Sequence, residues 1–175
     1  MSHEEITSKS NHTMGTDNRF LEFSLGQQSF AVSLLKVKEV VAPPPVTPIP
    51  FTPEHFVGIM NLRGQVISIL DLRKKMKIHP LSKNDENAVI IIEVNPVKVG
   101  ILVDSINTVL SVDPNEIAET PHLEQQIRKE YIQGIVRRNE KFTILVDIEK
   151  ILDISDLTAI HQQQQQHKTT QQQAA

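Results

Sequence analysis

The chain of 175 residues has no cysteine and no tryptophan, a single tyrosine and only six glycines. Without cysteine it forms no disulfide and no thiolate, and nothing points to an oxidising compartment. Six phenylalanines beside the one tyrosine are too few for the stacking platform that single-stranded nucleic acid needs, and no basic and aromatic residues are expected to interleave in the strands. Charge of one sign is also missing. With 18 Lys and Arg against 21 Asp and Glu, the formal net charge is -3, which gives no basic footprint for phosphates. Long apolar runs are absent. Ala88 to Ile92 is among the longest, far short of the ~20 residues that span a bilayer as a helix. The opening MSHEEITSKSNHTMGTDNR has no apolar core of a secretory signal. These absences lead us to expect a soluble cytoplasmic protein with no nucleic-acid partner and no direct membrane insertion.

Catalytic motifs are lacking as well. No glycines stand in G-x-G-x-x-G or G-x-x-x-x-G-K spacing, so no phosphate loop is expected. The histidines, His3, His12, His55, His79, His122, His161 and His167, form no H-x-x-x-H pair with acidic support, so no metal is expected. No serine sits in a nucleophile-elbow context. Asp71 and Asp147 occupy similar positions in the two halves. Each ends a strand, where a carboxylate accepts from nearby backbone N–H groups, and that explains the pair better than a catalytic dyad. We expect no catalytic residue and no cofactor.

What is present reads as short strands and turns. Residues 1–18 and the glutamine-rich 161–175 lack core-forming pattern and read as disordered tails around a domain at 19–160. Inside it, Phe20–Leu25 and Phe30–Val32 make a hairpin around Gly26. Val66–Leu72 follows Arg63-Gly64. Ala88–Val94 follows a polar loop at 82–87 and turns at Asn95-Pro96 into Val99–Val103. Phe142–Val146 closes the series. Such runs suggest a barrel or sandwich. Helices are few. Thr52-Pro53-Glu54 resembles a helix start, with a short helix to about Phe56. Leu123, Ile127 and Tyr131 make one helical stripe. Asp147 is placed to cap a helix carrying Ile148, Ile151 and Leu152. Pro43 to Pro50 lacks too many N–H groups for helix or central strand and reads as an extended connector.

The chain also repeats itself. Gly58, Ile59, Val66 and Asp71 match Gly134, Ile135, Phe142 and Asp147 at one constant offset. Val32, Leu34, Val37 and Val40 match Ile101, Val103, Ile106 and Val109 at another. The same order at constant offsets indicates a duplicated unit of strands, connector, short helix and a further strand pair, with subdomains at roughly 20–85 and 86–152. Gly58 and Gly134 are expected in matching turns, explained by close backbone approach or positive φ.

One stretch is specific. Gly58-Ile-Met-Asn-Leu-Arg-Gly-Gln-Val-Ile-Ser-Ile-Leu-Asp-Leu-Arg73 resembles the signature of CheW-like domains, in which G-x-x-N-L-R-G leads into a strand ending in D-L-R. Phe23–Val32, Val37-Lys-Glu-Val40, Val99–Asp104, Tyr131–Gly134 and Ile144–Leu152 resemble five further segments of that family in the same order. Ser68 departs from the family's usual proline, so local strand pairing is expected to differ there.

The resemblance implies an all-β fold with a few short helices, built as two intertwined five-stranded SH3-like β-barrels. It implies a chemotaxis adaptor that couples transmembrane chemoreceptors to the histidine kinase CheA, with neither catalysis nor cofactor. The receptor's helical tip is expected in the groove between the barrels, against Val37, Glu39, Val41, Arg63, Gly100 and Leu102. The kinase regulatory domain is expected at Ile49, in the rigid Pro48-Ile49-Pro50 loop, and at Val57. Glu39 and Arg63 are expected to pair at the groove mouth, since arginine's planar fork suits a bidentate carboxylate contact. The protein is accordingly expected in receptor arrays at the membrane. A small-barrel nucleic-acid binder is the competing class, and an enzyme with an unrecognised site is a third.

Overall fold

Alternating apolar residues set the frame of the first hairpin. β1 (Arg19–Leu25) and β2 (Gln28–Ser33) bring Leu21, Phe23, Leu25, Phe30 and Val32 to one shared core. The rings of Phe23 and Phe30 stack with centroids 6.1 Å apart, worth about 0.5–1.5 kcal/mol beyond their burial. The chain continues through β3 (Val37–Val41), β4 (Phe56–Leu62), β5 (Gln65–Asp71) and α1 (Leu72–Lys75). Then follow β6 (Ala88–Val94), β7 (Val97–Val103), β8 (Ser105–Ser111), β9 (Ile117–Ala118), β10 (Ile132–Arg138), β11 (Lys141–Val146) and α2 (Ile148–Ile151). This computed structural model describes residues 18–79, 87–94, 96–118, 129–153, 156, 158–160 and 162.

The strands form two sheets. One has the order β8-β1-β2-β11-β10-β9, the other β3-β6-β7-β5-β4. The architecture is the expected all-β one with a few short helices. β9, two residues long, is the sixth member of the larger sheet. Its counterpart in the smaller sheet is the single bridge between Thr47 and Ile59.

The sheets do not coincide with the halves 20–85 and 86–152. β3 leaves its own hairpin to pair with β6, and β8 crosses back to pair with β1. Parallel pairing of β5 with β7 and of β2 with β11 completes the exchange. The smaller sheet therefore comes wholly from 37–103, and the larger from the segments on either side.

Both faces of the central strands are buried. Ile90, Ile92, Val99 and Ile101 enter the core shared with β1 and β2. Val89, Ile91, Met60, Ile67 and Ile69 fill a second cluster, and Phe20, Ala31, Val136 and Leu145 a third. Burial on both faces explains why Ala88–Val94 is an unbroken apolar run. Each fully buried Ile or Leu contributes about 1.5–3 kcal/mol.

The duplication is visible in atomic detail. β4 and β10 each carry a register shift, between Phe56 and Gly58 and between Ile132 and Gly134. Asp71 N–H donates to the His55 carbonyl at 2.7 Å, and Asp147 N–H to that of Tyr131 at 2.8 Å. Both aspartates cap short helices. Asp71 Oδ1 accepts from Lys74 N–H at 3.0 Å, and Asp147 Oδ1 from Glu149 N–H at 3.1 Å. The backbone-satisfying role expected for them is the observed one.

Several expectations are corrected. No helix forms at 52–56. Pro53 accepts from Phe56 N–H in a turn, and buried Phe56 opens β4 instead. Gly58 and Gly134 lie inside strands at bulges, not in turns. A Cβ on Gly58 would stand 2.2 Å from the Thr47 carbonyl oxygen, and one on Gly134 the same distance from Ile117 Cγ2. Each glycine lets a connector cross its strand closely. Ser68, by contrast, is fully buried in β5 and paired with both Ile59 and Val99, as the backbone donor that serine restores allows. Just ahead of β1, the Asn18 carbonyl accepts from Val112 N–H at 2.8 Å. Pro43–Pro50 is an extended connector save for the Thr47 bridge. Leu123, Ile127, most of the 82–87 loop, Asn95, and the end segments apart from Asn18 and Gln162 lie outside the described residues.

Candidate functional site

The turn after β4 begins the site. Leu62 pairs with Gln65, leaving Arg63 and Gly64 as a two-residue loop. Both have positive φ, 50° and 82°, the conformation whose twist suits a hairpin. Asn61 Oδ1 accepts from Gly64 N–H at 2.8 Å and fixes the loop. Arg63 is thereby held out from the sheet. Its two terminal nitrogens donate to the two Glu39 oxygens at 3.0 and 2.9 Å. This is the planar two-point contact expected from the sequence. β3 and β4 are the outer strands of the smaller sheet, so the fork ties its two edges together. The arginine side chain is 76% exposed and the glutamate 29%, so the pair's contribution to stability is small, about 0–1 kcal/mol.

Val41, Val57 and Leu102 come together as half-buried residues on the cluster of Met60, Ile67, Ile69, Val89 and Ile91. Residues assigned separately to receptor and kinase thus pack on one and the same cluster. Val37 packs on the other core. Gly100 is buried, and a Cβ there would meet Ile69 Cδ1 at 2.4 Å and Val89 Cγ1 at 2.8 Å. Its repeat counterpart is Ala31, fully buried in the third cluster. A small residue at this position in both sheets is a packing requirement, and Gly100 offers no surface.

Ile49 is half-buried, and its carbonyl accepts from the Thr52 hydroxyl at 2.9 Å. The exposed apolar residue of that loop is Phe51, wholly in solvent with φ 62°. Sequence reasoning missed it. The signal was there, an aromatic between Pro50 and Pro53 with no alternating partner to bury it. Val40 and Val109, at matching positions of β3 and β8, are also exposed.

The turn matching Arg63-Gly64 is Asn139-Glu140, again with positive φ. Next to it Arg137 lies over the exposed Phe142 ring, 5.8 Å from its centre. This is a single basic-aromatic contact across a strand pair. Arg138 is occupied by Glu116 at 3.0 Å. The Asp113 backbone N–H, then Arg138, hold the Glu116 carboxyl below the usual range.

Among the described residues no group of His, Cys, Asp and Glu has metal-binding geometry, and no helix is long and apolar enough to cross a membrane. Residues 19–156 match the family model described as CheW-like domain. The chain belongs to the CheW-like family. It is 33% identical over 155 residues to the chemotaxis protein CheW of Klebsiella aerogenes, covering 89% of this chain and 92% of that one. It is 32% identical over 143 residues to the chemotaxis protein CheW of Treponema pallidum, covering 79% and 84%. Among solved structures it resembles the scaffolding protein TtCheW from Thermoanaerobacter tengcongensis, with a TM-score of 0.73 and 28% identity over 89% of this chain and 96% of that one. Membership of the CheW-like family makes chemotaxis the setting in which the site is read.

Proposed function

We propose that this chain is a chemotaxis coupling adaptor with no catalytic activity, joining a chemoreceptor's helical tip to the histidine kinase CheA in cytoplasmic arrays beneath the membrane. The observation that carries the reading is the Glu39–Arg63 fork. An exposed arginine held in a fixed plane gives a helix-in-groove contact its polar register mark, while the half-buried Val41 and Leu102 supply the apolar contact. The kinase regulatory domain meets the loop carrying Ile49 and the neighbouring Val57, with exposed Phe51 as its anchor, since rigid aromatic side chains dominate such contacts.

A double-mutant cycle on affinity for a receptor signalling fragment tests the reading. Arg63→Ala and Glu39→Ala should each lower affinity about tenfold or more, because hydrogen bonds to charged groups are worth ~1.5–3 kcal/mol. The charge-swapped double variant should recover part of the loss. Normal coupling in both single variants removes the fork from the site. In the kinase pull-down, Phe51→Ala should reduce capture with stability changed by less than about 0.5 kcal/mol. Unchanged capture removes the loop.

The Arg137–Phe142 contact favours the competing nucleic-acid reading, since arginine and an exposed ring can both stack on bases. A gel shift with single-stranded oligonucleotide at low salt decides it.

A further inference from the structure

A cavity of about 670 Å³ lies where the segment after α1 meets β2, the His55 turn and Tyr131. This is within the ~300–1,000 Å³ of small-molecule sites, which favour seams between structural units. His55 and Tyr131 are repeat counterparts, and both face it. Its accessible apolar walls are the half-buried Met76 and Ile78.

Its lining carries Lys74, Lys75 and Lys77 against the carboxylates of Glu54 and Asp153. Lys75 is spent on Asp156 at 2.6 Å and Asp153 at 2.8 Å. Lys74, Lys77 and His79 form no ion pair among the described residues, and Glu54 is the unpaired acid facing them. Lys77 has an independent peculiarity. It stands at φ 56° just after α1. Ile78 N–H donates to the Arg73 carbonyl at 2.9 Å and Lys77 N–H to that of Lys74 at 3.1 Å. That is the helix-ending motif in which glycine is the usual occupant, because a Cβ is strained there. The chain carries the strain and keeps an ammonium on the cavity rim.

We propose that this cavity binds a small organic anion with an apolar body, its charge held by Lys77 and Lys74 and its body laid on Met76 and Ile78. The site is separate from the Glu39–Arg63 fork and does not depend on the adaptor reading. Tyr131 is the chain's only tyrosine and there is no tryptophan, so intrinsic fluorescence reports this cavity directly. The full chain is titrated with cyclohexyl phosphate, with inorganic phosphate and cyclohexanol as the two halves of the probe. We expect saturable quenching or enhancement of Tyr131 by cyclohexyl phosphate at millimolar concentration, and at least about tenfold weaker response to either half. Lys77→Gly should weaken binding about tenfold, as loss of one charge-assisted contact does, while its melting temperature holds or rises because the strain is relieved. Lys74→Gln should weaken binding in a fold that needs no adjustment. No saturable response, equal binding of inorganic phosphate alone, or full affinity in both lysine variants would each overturn the proposal.

Discussion

The two repeats agree in their frame and differ in their charges. Gly58 and Gly134 both stand at register shifts, Asp71 and Asp147 both cap short helices, and both two-residue turns have positive φ. At the positions of Glu39 and Arg63 the other unit has Thr108 and Asn139, so the fork exists once. A second tie is not kept at matching positions: Asp104 corresponds to Leu35, and the tie in the other unit is charge-reversed and runs to the next residue, Lys36. Arg73 of α1 donates to Asp104 at 2.7 Å, and Asp104 also accepts from Gly26 N–H at 2.7 Å. The residue matching Arg73 is Glu149 of α2, which pairs with Lys36. Duplication preserved what the backbone needs, namely close approach and satisfied N–H groups, and left side-chain charge free to diverge. The single fork and the charge-reversed tie are where one surface became unlike the other.

The sharpest way to break this comparison is at the glycines. Gly58→Ala should cost about 3 kcal/mol or more, since the new methyl meets backbone atoms of Thr47 and Gly58 itself sits at φ 144°. Gly134→Ala should cost less, about 1–2 kcal/mol, because its obstacle is the Ile117 side chain. Urea unfolding measures both, and equal losses would mean that the bulges are not built differently. Next in size are the charge-reversed ties. Arg73→Ala leaves a largely buried Asp104 with only its backbone donor and should cost about 1–3 kcal/mol. Glu149→Ala removes an exposed partner and should cost no more than about 1 kcal/mol.

The smallest expected effect concerns Lys75, whose repeat counterpart is the fully buried Ile151. Burial opposes the Lys75 charge, but hydrogen bonds and charges from Asp153 and Asp156 outweigh it and raise its pKa above the ordinary 10.5. Its contribution is therefore complete below 10.5 and fades as pH rises through the folded value. Lys75→Met should lose that alkaline limb relative to the parent protein. Matching pH profiles above 10.5 would show that the cluster adds nothing that its apolar counterpart lacks.

The strands were legible wherever apolar residues alternate or run unbroken, as in Phe20–Leu25 and Ala88–Val94, and the repeat was legible in spacing alone. β4 was not, because Thr52-Pro53-Glu54 imitates a helix start and Gly58 imitates a turn. Only the crossing of Thr47 reveals why a glycine belongs inside that strand. Neither β3 nor β8 has a fully buried residue, and Val40 and Val109 are exposed, so no strong core face announces them. The Glu39–Arg63 pair was anticipated because both lie in family-like segments and carry opposite charge. Phe51 was overlooked although its place between Pro50 and Pro53 signalled it, and the cavity beside Lys77 was not legible, since left-handed backbone is a property of the folded chain.

The exchange of strands also dictates an order of assembly. The smaller sheet is complete once the chain has been synthesised through Val103. The first hairpin, β1–β2, emerges earlier yet must wait for β8 and β11 to cover its two edges. Glu22 and Thr143, 121 positions apart, meet at 2.6 Å only at the end. Contacts at such separation form slowly. On the ribosome the inner sheet is therefore finished first, and the segment made first is the last to find its neighbours.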